Sequence, residues 1–149
     1  MAKQYDENCI FCKFIQKKID VATVLENEYV LAFLDNSPAG TLTGHTLVIP
    51  KKHFVEIEDI EDKYIKEIAL ALKKLAPAIK KVSGAEGINL IQNNGKAAGQ
   101  FVMHAHFHLI PRKAGDGIRI DQNRRNPAPL EQVETANAIK ETLLENKQN

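Results

Sequence analysis

The chain has little charge to spare. Lys and Arg number 20 against 19 Asp and Glu, a formal net charge of +1, and no long basic run breaks that balance. A surface built to wrap nucleic acid is therefore not expected. Long apolar runs are also missing, and no stretch approaches the length of a membrane span. The first eight residues, Met-Ala-Lys-Gln-Tyr-Asp-Glu-Asn, are polar and lack the apolar core of a signal peptide. Cysteine is scarce. Cys9 and Cys12 are the only two, and they sit too close together to staple a fold, so a reducing, cytoplasmic setting is expected. Repeats and low-complexity segments are absent. What remains is an ordinary soluble composition, 44% apolar and 26% charged over 149 residues, which predicts one domain over 1–149 with a single core.

Periodicity supplies the elements. Ile10 to Ile19 predicts a short helix, and Val21–Leu25, Tyr29–Leu34 and Thr46–Ile49 predict strands. Glu26-Asn27-Glu28 forms one turn between them, and Asp35-Asn36-Ser37-Pro38 another with strong turn chemistry. Ile65, Ile68, Leu72, Leu75, Ile79 and Val82 step by three and four, one apolar stripe on a long helix that Ser83-Gly84 ends. Pro77 removes a backbone donor inside it and should kink it. Ile88–Gln92 and Val102–Ile110 predict two more strands, joined by the loop 93–99. After a polar stretch from Arg112 to Pro127, Leu130, Val133, Ile139 and Leu143 predict a C-terminal helix. Strands, a long helix, then strands again favour an α+β domain with a mostly antiparallel sheet.

The segment Phe101-Val-Met-His-Ala-His-Phe-His-Leu-Ile110 carries the chemistry. Alternation in a strand sends Met103, Ala105, Phe107 and Leu109 toward a core, and His104, His106 and His108 to the opposite face. A merely solvated face would be served as well by Lys, Thr or Glu. A three-histidine metal site is the stronger rival. Alternate residues lie roughly 6.6 Å apart along a strand, so the outer pair spans roughly 13 Å, whereas zinc needs nitrogens at about 2.0–2.1 Å. Two rings can share an ion; the third must do something else. Neutral imidazole is a good nucleophile toward phosphorus, because its pKa of about 6.5 leaves a nitrogen lone pair available at cellular pH. It splits one hard displacement into two easier ones. The loop Asn93-Asn94-Gly95 to Ala98-Gly99-Gln100 has small residues that let backbone N–H groups approach an anion, although an ordinary hairpin turn would use them too.

His104-Ala-His106-Phe-His108-Leu-Ile resembles the signature of the histidine-triad (HIT) family, in which histidines alternate with apolar residues. Further segments agree in order: Cys9-Ile-Phe-Cys12, Phe33-Leu-Asp35-Asn-Ser-Pro, Gly44-His45-Thr-Leu-Val-Ile-Pro-Lys-Lys-His53, Asn93-Asn-Gly95 and Gly99-Gln100. The resemblance covers about residues 8–113, with residues 114–149 as a C-terminal loop and helix. It implies a nucleotide hydrolase acting on purine nucleotide conjugates, either adenosine phosphoramidates or dinucleoside polyphosphates, through a nucleotidyl-histidine intermediate. His106 would be the nucleophile, His108 would meet the phosphate or leaving group, and His45 would support the cluster. Asn93, Gly99 and Gln100 would frame the phosphate. Asp35 would accept hydrogen bonds from ribose, and Ile10, Phe11 and Phe33 would line the base pocket; for these apolar residues core packing is the competing reading, and for Asp35 a turn. Phe101 departs from the pattern, since a serine or threonine is common there. Retention of His108, where nucleotidyl transferases of the family carry glutamine, favours hydrolysis.

A Cys-x-x-Cys pair is half of a zinc site or a redox dithiol, and no thioredoxin-like context accompanies it here. The resemblance to bacterial-type HIT proteins implies structural zinc on Cys9, Cys12, His53 and His104, a closed tetrahedral set that braces the fold. It also implies a homodimer with sheets joined across a two-fold axis. The competing function is a nucleotide- or zinc-binding interaction module without useful catalysis. Arg112, Lys113, Arg119, Arg124 and Arg125 are candidates to reach a polyphosphate chain.

Overall fold

The computed structural model describes residues 4–119 and 126–145, which leaves Arg124 and Arg125 outside the described residues. The chain divides into two units, Met1–Ile118 and Arg119–Asn149. In the first, a short helix α1 (Ile10–Ile15) precedes strands β1 (Thr23–Glu26), β2 (Val30–Leu34) and β3 (Thr46–Pro50). The long helix α2 (Asp62–Ser83) follows, then β4 (Gly87–Gln92) and β5 (Phe107–Arg112). All neighbouring strands pair antiparallel in the order β1-β2-β3-β5-β4. The second unit contributes α3 (Pro129–Glu145). The fold is α+β, as the order of elements predicts. No helix among the described residues is long and apolar enough to cross a membrane.

The sheet separates two apolar clusters because alternate residues of each strand face opposite ways. Val30, Ala32, Val48 and Leu109 pack with Ile68, Ala71, Leu75 and Ile79 of α2. Leu31, Phe33, Leu47 and Ile49 pack on the other side with Phe11, Phe14 and Ile15 of α1. Helix α2, with 22 residues, packs along one face. Helix α1, with six residues, leaves part of the other face uncovered, and a cavity lined by Phe11, Phe33, Leu47 and His106 lies there.

Three local expectations are corrected. α1 stops at Ile15, well short of Ile19; Lys17 takes φ 56°, a left-handed conformation incompatible with continued helix. The buried stripe of α2 is Tyr64, Ile68, Ala71, Leu75 and Ile79, while Val82 is 81% exposed in the last turn. The helix continues through Pro77 and ends on Gly84 in the left-handed region, φ 68°. Finally, β5 begins at Phe107, not Val102. Its ladder with β3 reaches only the Val48–Phe107 pair. The next β3 residues include Pro50, which has no N–H to donate, and the chain instead bends: the His104 N–H bonds Val102 O and the Ala105 N–H bonds Phe54 O.

Candidate functional site

That bend divides the histidines. His104 is wholly buried and turned toward the cysteines, whereas His106 and His108 face the cavity beside α1. Ala105 and Leu109 are buried in the α2-side core as alternation predicts, with Phe107 packed partly against it; Met103 instead lines a separate cavity. None of the three histidines belongs to a merely solvated face.

Around His104, the Cys12 Sγ lies 3.4 Å from His53 Nδ1 and 3.6 Å from His104 Nδ1, and the Cys9 Sγ lies 3.5 Å from His104 Nδ1. The four donor atoms of Cys9, Cys12, His53 and His104 all fall within 4.8 Å of one another. A tetrahedral zinc with ordinary Zn–S and Zn–N lengths has sulfur–nitrogen edges of about 3.6 Å, so these separations fit the ion. The His104 ring is prepared for it. Its Nε2 lies 2.9 Å from the Pro50 carbonyl, which can only accept, so Nε2 carries the proton and Nδ1 keeps its lone pair toward the sulfurs. Burial holds the His104 pKa down at about 4 and pushes the Cys12 thiol up to about 11. A cation among these ligands would stabilise the thiolate that burial alone disfavours.

The second group of rings lines a cavity of about 570 Å³, within the size range of small-molecule sites. His106 donates from Nδ1 to the carbonyl of His104 at 2.7 Å. A carbonyl has no proton to give, so the neutral ring must leave Nε2 unprotonated. A second chain of bonds fixes its neighbours. The Ala39 N–H donates to His45 Nδ1 at 2.8 Å, so the His45 proton sits on Nε2 and is donated to His108 Nδ1 at 2.9 Å. His108 must then carry its own proton on Nε2, as a donor. One ring presents a lone pair and its neighbour an N–H, with centroids 5.0 Å apart. Burial lowers the pKa of His106, of His45 and, to about 4, of His108, the last helped by its two ring neighbours. All three are held neutral at physiological pH.

The other residues singled out from the sequence mostly converge here. Phe11 and Phe33 meet edge-to-face at 5.5 Å, and Phe11 stands edge-on to His106 at 5.3 Å. Both phenylalanines line the cavity while also packing in the α1-side core. Ile10, Asp35, Asn93 and Gly99 also line the cavity. Asp35 forms a turn as well, its Oδ1 accepting the Ser37 N–H at 2.8 Å, with Oδ2 3.6 Å from His45 Nε2. Gly99, at φ 84°, and Gly95, at φ 77° and ψ 158°, take backbone conformations that suit glycine. Gln100 does not line the cavity. Its amide is committed to the backbone, with Oε1 accepting from Gly95 N–H and Nε2 donating to Val55 O and Val102 O; it braces the 95–99 loop from behind. Arg112 is likewise committed, to Asp116, Asn89 and the Ile118 carbonyl.

The HIT domain model matches residues 16–115. The chain belongs to the HIT family. It is 48% identical over 113 residues to Protein hit of Bacillus subtilis, covering 75% of this chain and 77% of that protein. It is 44% identical over 108 residues to the adenosine 5'-monophosphoramidase HNT1 of Saccharomyces cerevisiae, covering 72% of this chain and 65% of that one. Among solved structures, a Streptococcus mutans protein superposes with a TM-score of 0.88 at 37% identity, covering 94% of this chain and 88% of that chain. What reading the HIT motifs residue by residue missed is backbone: the carbonyls of Pro50 and His104 and the amide of Ala39 decide which nitrogen of each ring is protonated. Side-chain identity carries no signal of these contacts.

Proposed function

We propose that this HIT protein hydrolyses purine nucleotide conjugates, adenosine phosphoramidates or dinucleoside polyphosphates, with His106 as the nucleophile. The observation that carries this reading is the hydrogen bond from His106 Nδ1 to the His104 carbonyl, which leaves Nε2 as the lone-pair nitrogen of a ring lining the cavity. Relatives with phosphoramidase activity in Saccharomyces cerevisiae and Schizosaccharomyces pombe support the substrate class.

The base sits between Ile10, Phe11 and Phe33, and Asp35 receives the ribose hydroxyls. Asn93 and the Gly99 backbone flank the phosphate, with Gln100 holding their loop. Nε2 of His106 forms a bond to the α-phosphorus while the bond to the leaving nitrogen or oxygen breaks; the leaving atom takes the bonding pair and acquires a proton from solvent as needed. The resulting imidazolium is stabilised through Nδ1–H by the His104 carbonyl. His108 donates from Nε2 to a phosphoryl oxygen or the leaving atom, held in that tautomer by His45. Water then forms the new P–O bond as the N–P bond breaks, and its proton returns to solvent. One water is consumed in all. Zinc on Cys9, Cys12, His53 and His104 would supply no chemistry to these steps; as a closed four-ligand set it would hold the bend that presents the His104 carbonyl. A homodimer joined at the sheet fits the edge position of β4, where Leu90 is 57% exposed.

Incubation with a fluorogenic adenosine phosphoramidate and with diadenosine polyphosphates, followed by rapid quench and mass spectrometry, tests the reading. AMP release and a nucleotidyl adduct on His106 are expected. No release above a His106→Ala control with either substrate would favour a binding module without catalysis.

A further inference from the structure

The loop that joins β2 to β3 carries two groups of the site. Asp35 opens it, and near its middle the Ala39 N–H donates to His45 Nδ1 at 2.8 Å. The sheet ties the ends of this loop, with the Asp35 N–H bonded to the His45 carbonyl at 2.9 Å. Its middle is reached from another part of the chain. At the end of β5, Arg112 grips Asp116 in a two-pronged pair, Nε to Oδ2 at 2.7 Å and Nη2 to Oδ1 at 2.8 Å. The Asp116 side chain is 4% exposed, and its oxygens also accept the N–H groups of Lys113 and Ile118 at 3.1 and 3.0 Å. Arg112 Nη2 donates as well to the Ile118 carbonyl at 2.7 Å. Ile118 is thus held at both of its backbone groups. Its side chain lies directly against Gly40, where an added Cβ would come 2.5 Å from Ile118 Cδ1. The clamp therefore bears on the residue next to the one whose N–H sets the His45 ring.

We propose that Arg112, Asp116 and Ile118 are positioning residues that press the 35–44 loop into place and so keep the His45 and His108 protons on Nε2. The proposal rests on the hydrolase reading and adds to it a part that touches no substrate. A bidentate arginine–carboxylate pair fixes geometry as well as charge. That rigidity gives Ile118 a firm seat from which to back Gly40. Trimming Ile118 leaves the loop room to shift, and the Ala39 N–H then releases His45 Nδ1 for part of the time. Once released, His45 samples both neutral tautomers, and the donor that confines the His108 proton is no longer fixed. A donor that is out of place costs rate more than affinity, because His108 acts on charge that develops during the reaction.

The experiment pairs ring spectra with kinetics on the full chain, comparing wild type, Ile118→Ala, Asp116→Asn and the conservative Ile118→Val. Long-range proton–nitrogen correlation spectra of histidine-labelled protein at neutral pH read the tautomer of each ring without any substrate. Wild type and Ile118→Val are expected to show His45 and His108 protonated on Nε2 alone. In Ile118→Ala and Asp116→Asn the nitrogen shifts of both rings should move toward the average of two tautomers. For an adenosine phosphoramidate, kcat should fall in those two variants by about threefold to tenfold, with KM changed by less than about twofold. Ile118→Val should keep a rate close to that of wild type. Wild-type nitrogen shifts in Ile118→Ala, with only a lower melting temperature, would reduce the clamp to a structural role and overturn the proposal. Shifted rings with an unaltered kcat would overturn it equally. A wild-type protein that turns over no phosphoramidate or dinucleoside polyphosphate would sink the hydrolase reading, whereas the spectra would still decide whether the clamp governs the rings.

Discussion

His104 and His106 are two residues apart, share the same bend, and end in opposite environments. The His104 ring, wholly buried, points its bare Nδ1 at two sulfurs; the His106 ring protonates that same atom and leaves Nε2 bare beside a cavity. In each case one backbone carbonyl makes the choice. Identical side chains thus acquire a metal-ligand's tautomer or a nucleophile's tautomer from the single acceptor that faces them. The two sites are also joined, since the carbonyl that orients His106 belongs to His104. A brace at the Cys/His cluster is a brace on the His106 ring.

The sharpest way to break this contrast is to remove each ring's function separately. His106→Ala should lower turnover of an adenosine phosphoramidate by about three orders of magnitude or more, because among the described residues nothing else on the cavity wall offers a lone-pair nitrogen in that place. Metal content, read by elemental analysis, should be unchanged. Cys12→Ser should do the reverse: metal is lost and the melting temperature falls by about 10 °C or more, read by calorimetry with and without added zinc. Equal metal content and stability in that variant would refute a structural ion.

A smaller effect probes the tautomer chain. His45→Ala removes the donor to His108 Nδ1, so the His108 proton is no longer confined to Nε2. A loss of about tenfold to a hundredfold in kcat is expected, with less change in KM. Unaltered kcat would show that the chain of bonds from Ala39 has no part in the reaction.

The smallest effect is in pH. Burial and its ring neighbours depress the His108 pKa to about 4 in the folded protein, from an ordinary value of 6.5. Between those values the unfolded chain binds a proton that the folded one refuses. His108 therefore leaves stability unaffected above about pH 7 and lowers it progressively as pH falls from 6.5 toward 4. Denaturant midpoints of wild type and His108→Gln over that range should diverge with a slope difference approaching one proton. Parallel curves would mean that the ring is not held neutral by its surroundings.

How legible these sites were depends on which kind of contact made them. Alternating histidines, the His45 and His53 segments and the Cys-x-x-Cys pair marked nearly every side chain that meets in the two clusters. Apolar spacing likewise marked α2 and the central strands. The misplaced start of β5 came from treating 102–110 as one strand, where alternation would put all three rings on one face. Pro50, already visible as the end of β3, removes the ladder donor that such a strand needs, but its pairing with this segment spans more than fifty residues. Gln100 shows the same limit: its motif position suggested the phosphate, and its partners turned out to be backbone groups.

Residue types and their spacing determined that this protein would have an α+β fold, an alternating run of imidazoles and a thiol pair, since hydrophobic period and local turn chemistry are properties of short stretches of chain. Tertiary structure alone decided where the bend falls, which ring meets sulfur and which meets the cavity, and where each proton sits. Those outcomes depend on carbonyls and amides that every residue possesses, and only the folded path of the chain selects which of them face a given ring.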